Sequence, residues 1–243
     1  MKEIRTISAW SYGCYAWLLF ILVLLIFGSL IMLVRTPRHA RPVARTGTRL
    51  LFRFAALPLA IHDKERLPRT PHILLVNHTS FLDGLVLTAL LPAQPGYAFV
   101  VRQQHAAQRV LCPLLRALGT VVLGRPHLHA AINTRRLRKA LRRGKNLIVF
   151  PEGGIAPDAG LKAFHSGAFV AAVAENVPVV VAGLRGSRRA LRLGTWLTRR
   201  IPITLEIGAV LTPDVKGMEP ELNLSKAAHE AMLPLTGEED FGE

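Results

Sequence analysis

The chain has 243 residues, half of them apolar, and carries 31 Lys and Arg against 16 Asp and Glu, a formal charge of +15. That length favours one α/β-sized domain with an appendage, and the cationic excess calls for an anionic partner, either nucleic acid or an acidic membrane surface. The two cysteines, Cys14 and Cys112, stand in no metal-type or C-x-x-C spacing, which argues against a disulfide framework and a zinc site.

Residues 6–34 contain no charged side chain, and 16–34 are apolar except for Gly28 and Ser29. At a helical rise of about 1.5 Å per residue, roughly 20 such residues cross the hydrocarbon core of a bilayer. Trp10, Tyr12, Tyr15 and Trp17 cluster at the start of the run, where amphipathic rings favour the interface. The run is apolar on all faces, unlike a core helix, and no small-residue cleavage site follows it. A retained membrane anchor over 1–34 is therefore expected, either spanning or re-entering one leaflet. Arg35, Arg38, Arg41, Arg45, Arg49 and Arg53 follow, with no acidic residue before Asp63. Such an excess marks the cytoplasmic side and suits anionic headgroups, so 35–56 reads as a basic juxtamembrane linker. The charge is then accounted for without nucleic acid, for which no recognition signature is present.

The body of the chain, 57–234, alternates short β-type runs with helical patterns. Residues 73–76, 98–101, 121–123, 147–150, 179–184 and 203–207 read as strands; 80–91, 106–118, 128–143, 167–175 and 224–233 read as helices. The expected fold is α/β, a mostly parallel or mixed sheet flanked by helices. The basic helix over 128–143 is read as a solvated or lipid-facing surface. The tail, 235–243, is acidic and expected to fray.

Two stretches carry chemistry. VNHTSFLDG places His78 and Asp83 five positions apart where a strand gives way to a helix. A neutral imidazole can act as general base while a carboxylate on its other nitrogen fixes the tautomer. Ser80 and Asp83 equally form a capping-box-like S-x-x-D, which needs no catalysis. FPEGG, Phe150–Gly154, follows a strand and supplies a turn with backbone N–H groups suited to an anion, with Glu152 at the same sheet end as His78. His127 and His129 lack a third metal ligand, Cys112 sits in an apolar helix, and Ser166 reads as a helix start, so each is taken as structural.

Together these pieces resemble the glycerolipid acyltransferases, the family of 1-acylglycerol-3-phosphate acyltransferase. NHTSFLD (77–83) matches its N-H-x-S-x-x-D block, GTVVLGR (119–125) the second block, FPEGG with GLKAFHSGAF the third, and VPVVVAGLRG (177–186) the fourth. The resemblance covers about residues 57–212 and implies an acyltransferase domain there. It implies acyl transfer from acyl-CoA or acyl carrier protein to the hydroxyl of a lysophospholipid acceptor at a membrane of phospholipids, with no metal or redox cofactor. His78 would be the base and Asp83 its orienting acid. Asn77, Ser80, Arg125, Glu152 and Gly153 would form the substrate-binding set, Arg125 holding the acceptor's phosphate. Lysophosphatidic acid is the first acceptor expected; another lyso-lipid, glycerol-3-phosphate, or a silent lipid-binding role on the same fold are the alternatives. Three positions depart from the family pattern: Ile155 stands where the third block has an arginine, Gly124 replaces an aspartate, and His165 replaces a lysine. An arginine lost at a phosphate site costs a charge-assisted hydrogen bond, about 1.5–3 kcal/mol.

Overall fold

The computed structural model describes residues 2–106, 111–155, 160–237 and 240–241. Two long helices lead, α1 (Lys2–Val34) and α2 (Pro37–Phe54). Most of 35–56, expected as a basic juxtamembrane linker, is thus the helix α2. Pro37 opens α2 at a position where its missing N–H costs nothing. Ala40, Ala44, Gly47, Thr48 and Leu51 recur at helical spacing and are buried, while Arg38, Arg49 and Arg53 stay exposed on the other side. The arginines, conspicuous in the sequence, hid this apolar stripe.

The catalytic-sized body is a seven-stranded sheet in the order β1-β8-β7-β2-β5-β3-β4. Its strands are β1 (Leu59–His62), β2 (Ile73–Val76), β3 (Tyr97–Arg102), β4 (Val121–Leu123), β5 (Asn146–Val149), β7 (Val179–Arg185) and β8 (Ile203–Leu211). From β7 to β4 all neighbours are parallel; β8 pairs antiparallel with β7 and parallel with β1. A two-residue pair, β6 (Leu161–Lys162) with β9 (Asp240–Phe241), gives part of the acidic tail a partner where fraying was expected.

Buried on both faces, β2 is a continuous apolar run of four residues whose alternate side chains enter different cores. Ile73 and Leu75 pack with α6 (Pro126–Arg142), α7 (Gly167–Glu175) and α9 (Pro220–Thr236). Leu74 and Val76 pack with α3 (Asp83–Leu90) and the end of α2. Short helices α4 (Gln103–Ala106), α5 (Leu111–Ala117) and α8 (Ser187–Ala190), with a 3-10 turn at Lys64–Arg66, complete the layers. Of the helix expected over 106–118, residues 107–110 lie outside the described set. The edge strand β1 went unread because four residues, LAIH, give little periodicity. The helix expected from Ser80 begins at Asp83, a difference with a chemical cause given below.

The topology fixes where a site can form. From β2 the chain crosses β5 to reach β3, with α3 on one face; from β5 it returns past β2 to β7, with α7 on the other face. The carboxyl ends of β2 and β5 therefore flank a switch point, where open α/β sheets leave a crevice.

Candidate active site

His78 lies in the turn after β2. Its Nδ1–H donates to Asp83 Oδ2 at 2.9 Å, an acceptor that cannot itself donate when ionised. The same oxygen accepts the backbone N–H groups of Thr79 at 2.8 Å and Ser80 at 2.9 Å. Asp83 is fully buried, so its charge is held by three donors rather than by water. This is why the helix starts at Asp83: the turn before it folds around the carboxylate. The Ser80 hydroxyl bonds both ways: its oxygen accepts the Leu82 N–H at 3.3 Å, as an N-terminal cap does, and its O–H donates to the carbonyl of Leu191 at 2.8 Å. The S-x-x-D pattern thus keeps the return bond of a capping box, Asp83 accepting the Ser80 N–H, while the same carboxylate holds His78.

The rest of the histidine is presented outward. Its side chain is 21% exposed, and Nε2 has no partner among the described residues. The ring stacks on Phe150, the residue after β5, with centroids 4.0 Å apart and planes 16° from parallel. Glu152 supports the same turn from below: Oε1 accepts the His78 backbone N–H at 2.8 Å and Oε2 that of Lys162 at 3.4 Å. Asn77 is a rung between strands, donating from Nδ2 to the Leu184 carbonyl at 3.0 Å and accepting the Leu184 N–H at 2.7 Å. Thr79 and Ser187, on the other flank, share a hydroxyl contact of 2.9 Å.

The residues proposed from sequence for substrate contact thus divide. Asn77 and Ser80 are buried and committed to backbone partners, and Glu152 is nearly so; all three shape the turn rather than face a ligand. Gly153 lines the cavity at φ +77°, and a Cβ there would stand 2.4 Å from Arg102 Nη2 and 2.5 Å from the His165 ring, so glycine is required. Arg125 is exposed at the entrance to α6. Gly124 beside it is clamped by Asn133, which accepts its N–H at 2.8 Å and donates to its carbonyl at 3.1 Å. His129 turns inward with its ring against Gly124, not outward as a surface residue; the side chain of His127 lies outside the described set. Arg102 escaped the sequence reading. Closing β3 at the same sheet end, it approaches His165 Nε2 to 3.4 Å and lines the cavity. The signal was available: an arginine ending the strand YAFVVR.

In front of His78 opens a cavity of about 1320 Å³. Its walls are apolar and come from both cores, and one whole side is the inner face of α1, including Phe20, Val23, Phe27 and Ile31. Leu18, Leu22, Leu25 and Leu33 on the outer face are exposed. Residues 10–34 of this helix contain an 18-residue window of mean hydropathy 3.0, and the segment is long and apolar enough to cross a bilayer. Ile155, where the family pattern has arginine, lines the cavity, as does His165.

A histidine with one nitrogen bonded to a buried carboxylate and the other turned to a large, mostly apolar cavity is an arrangement able to abstract a proton beside an apolar ligand. The family model described as Acyltransferase matches residues 58–185, more than half of the chain, and the chain belongs to that family. It is 30% identical over 125 residues to the lyso-ornithine lipid O-acyltransferase of Pseudomonas aeruginosa, covering 51% of this chain and 47% of that protein. It is also 30% identical over 135 residues to the 1-acyl-sn-glycerol-3-phosphate acyltransferase of Neisseria gonorrhoeae, covering 54% and 51%. The chain thus spans about half the length of these curated relatives. The crystal structure of the 1-acyl-sn-glycerophosphate acyltransferase of Thermotoga maritima superposes with a TM-score of 0.74 over 95% of this chain and 94% of that one, at 21% identity, and shares its fold.

Proposed function

We propose that this protein transfers a fatty acyl group from a thioester, acyl-CoA or acyl carrier protein, to the free hydroxyl of a lysoglycerolipid. The observation that carries this reading is the His78–Asp83 pair opening onto an apolar cavity walled by α1. Nε2 of His78 takes the proton of the lysolipid hydroxyl as its oxygen attacks the thioester carbonyl. The tetrahedral oxyanion collapses, the carbon–sulfur bond breaks, and the imidazolium returns its proton to the departing thiolate. Asp83 stabilises that imidazolium through Nδ1–H, and the stack on Phe150 keeps the ring aimed.

Lysophosphatidic acid is the first acceptor. Arg102 and the exposed Arg125 are cations that could hold its phosphate, and Arg102 supplies at the cavity wall a charge that Ile155 does not. A second reading, a lyso-ornithine lipid, is favoured by Ile155 itself and by the similarity to the Pseudomonas enzyme.

The packing of α1 supports a one-leaflet anchor. Its inner face walls the cavity and α2 runs alongside, so a perpendicular crossing would drag the exposed arginines of α2 into hydrocarbon. Laid in the interface, the outer leucines enter one leaflet and an acceptor can reach His78 from the bilayer. The arginine excess supports the cytoplasmic side for that leaflet.

The test is thiol release from palmitoyl-CoA and palmitoyl carrier protein with a panel of lysophosphatidic acid, lyso-ornithine lipid and glycerol-3-phosphate. Release with lysophosphatidic acid, lost in His78→Ala, is the expected result. A stronger response to lyso-ornithine lipid would select the second reading, and no release with any pair would leave a silent lipid-binding protein.

A further inference from the structure

All three tryptophans of the chain meet in one place. Trp10 and Trp17 lie a helical distance apart on α1, and Trp196 comes from the loop between α8 and β8. The Trp10 and Trp196 rings meet edge to face at 4.9 Å, and Trp17 Nε1–H donates to the Trp196 carbonyl at 2.7 Å. Gly13 lets this loop approach α1 closely: a Cβ there would stand 3.0 Å from both Leu197 and the Trp196 ring. Arg200 closes the contact, its guanidinium 4.5 Å above the ring of Tyr12. Despite these contacts the aromatic rings remain partly open, Trp10 at 53% and Trp196 at 39% exposure. A soluble protein gains nothing by leaving three tryptophans at its surface; at a membrane, amphipathic rings settle at headgroup level.

The charges around the cluster match that environment. No acidic residue occurs anywhere in 176–205, while Arg192, Arg199 and Arg200 in the loop are exposed. The loop is also tied to the catalytic turn at its start. Leu191 accepts the hydroxyl of Ser80, Ser187 meets Thr79, and Leu193 lines the cavity. One short segment therefore touches the membrane helix with Trp196 and the His78 turn with Leu191.

We propose that residues 191–200 form an interfacial strap, in which Trp196, Arg199 and Arg200 lie among the headgroups of an anionic bilayer and hold the cavity mouth at the membrane surface. This rests on the reading of α1 as a bilayer-facing helix, and the experiment separates the two. The full chain is floated with phosphatidylcholine vesicles with and without phosphatidylglycerol, as wild type and as the double variant Arg199→Glu, Arg200→Glu. Each basic residue near an anionic surface contributes about fivefold in partitioning, so the double charge reversal is expected to lose at least roughly thirtyfold on phosphatidylglycerol vesicles and little on phosphatidylcholine alone. Its turnover in detergent micelles, where no anionic surface exists, should match wild type, which also shows that the variant folds. A second variant, Trp10→Phe with Trp17→Phe, leaves Trp196 as the one fluorophore. Lipids brominated near the headgroup should quench it when vesicles are added. Equal flotation of wild type and charge-reversed protein, or an unquenched Trp196 on bound protein, overturns the strap while leaving α1 as the anchor. Failure of the wild type to float with either vesicle overturns both readings.

Discussion

The two ends of β2 each carry a histidine, and the contrast between them separates a structural imidazole from one available for chemistry. His72, just before the strand, is fully buried; Nδ1–H donates to the Thr70 carbonyl at 2.8 Å and Nε2 accepts the hydroxyl of Tyr97 at 2.9 Å. Both nitrogens are used, and burial pushes its pKa below the ordinary histidine range while pushing the Tyr97 hydroxyl upward. His78, just after the strand, uses one nitrogen and turns the other to a cavity. Each histidine lies within two residues of the same apolar strand in the sequence. What differs is the end of the sheet: the amino end is sealed by packing, whereas the carboxyl end opens at the switch point between β2 and β5.

That contrast can be broken by experiment. His78→Ala should lower the rate of thiol release by roughly 10³–10⁴-fold, the contribution of a positioned base, with an unchanged circular-dichroism spectrum. Asp83→Asn should follow at roughly 10²–10³-fold, because the amide no longer stabilises the imidazolium; kcat, not KM, should carry the loss. Wild-type kcat in that variant would reduce Asp83 to a folding element of the turn. His72→Phe should act on the other axis. It strands the Tyr97 hydroxyl in the core at a cost of about 1–3 kcal/mol in urea unfolding, with turnover within about threefold of wild type. A catalytic collapse there as deep as that of His78→Ala would erase the distinction.

The smallest expected effect is on pH. With its folded pKa below the unfolded value of about 6.5, His72 takes up a proton more readily on unfolding. Its contribution to stability is present above about pH 6.5 and is lost as pH falls from there toward the lowered folded value. The urea midpoint should therefore decline more steeply from pH 7 to 5 in wild type than in His72→Phe; equal slopes would show that His72 titrates alike folded and unfolded.

Much of the fold was legible because the signals were local. The run ILLV of β2 and the helix GAFVAAVAE of α7 were placed residue for residue by periodicity, and β4 likewise. The motif NHTSFLD located the turn where His78 and Asp83 meet. The reading failed where a residue's partner lies far along the chain. Ser80 reads as a cap alone until Leu191 arrives to accept its O–H, and Asn77 as a substrate contact until Leu184 takes both of its groups. The helix over 37–54 was missed because its small, evenly spaced residues, Ala40, Ala44 and Gly47, become a packing face only against α1. Arg102 gains meaning only when β3 pairs beside β5 and brings it to His165.

The sequence by itself determined that the chain has a membrane-compatible first helix, an α/β body and a histidine and carboxylate in one turn, since hydropathy, periodicity and short spacing are properties of neighbouring residues. The tertiary structure decided which nitrogen is free, which polar residues are spent on backbone, and that α1 walls the cavity. Those facts depend on contacts between residues far apart in the chain, 179 positions in the case of Trp17 and Trp196, and no local pattern encodes them.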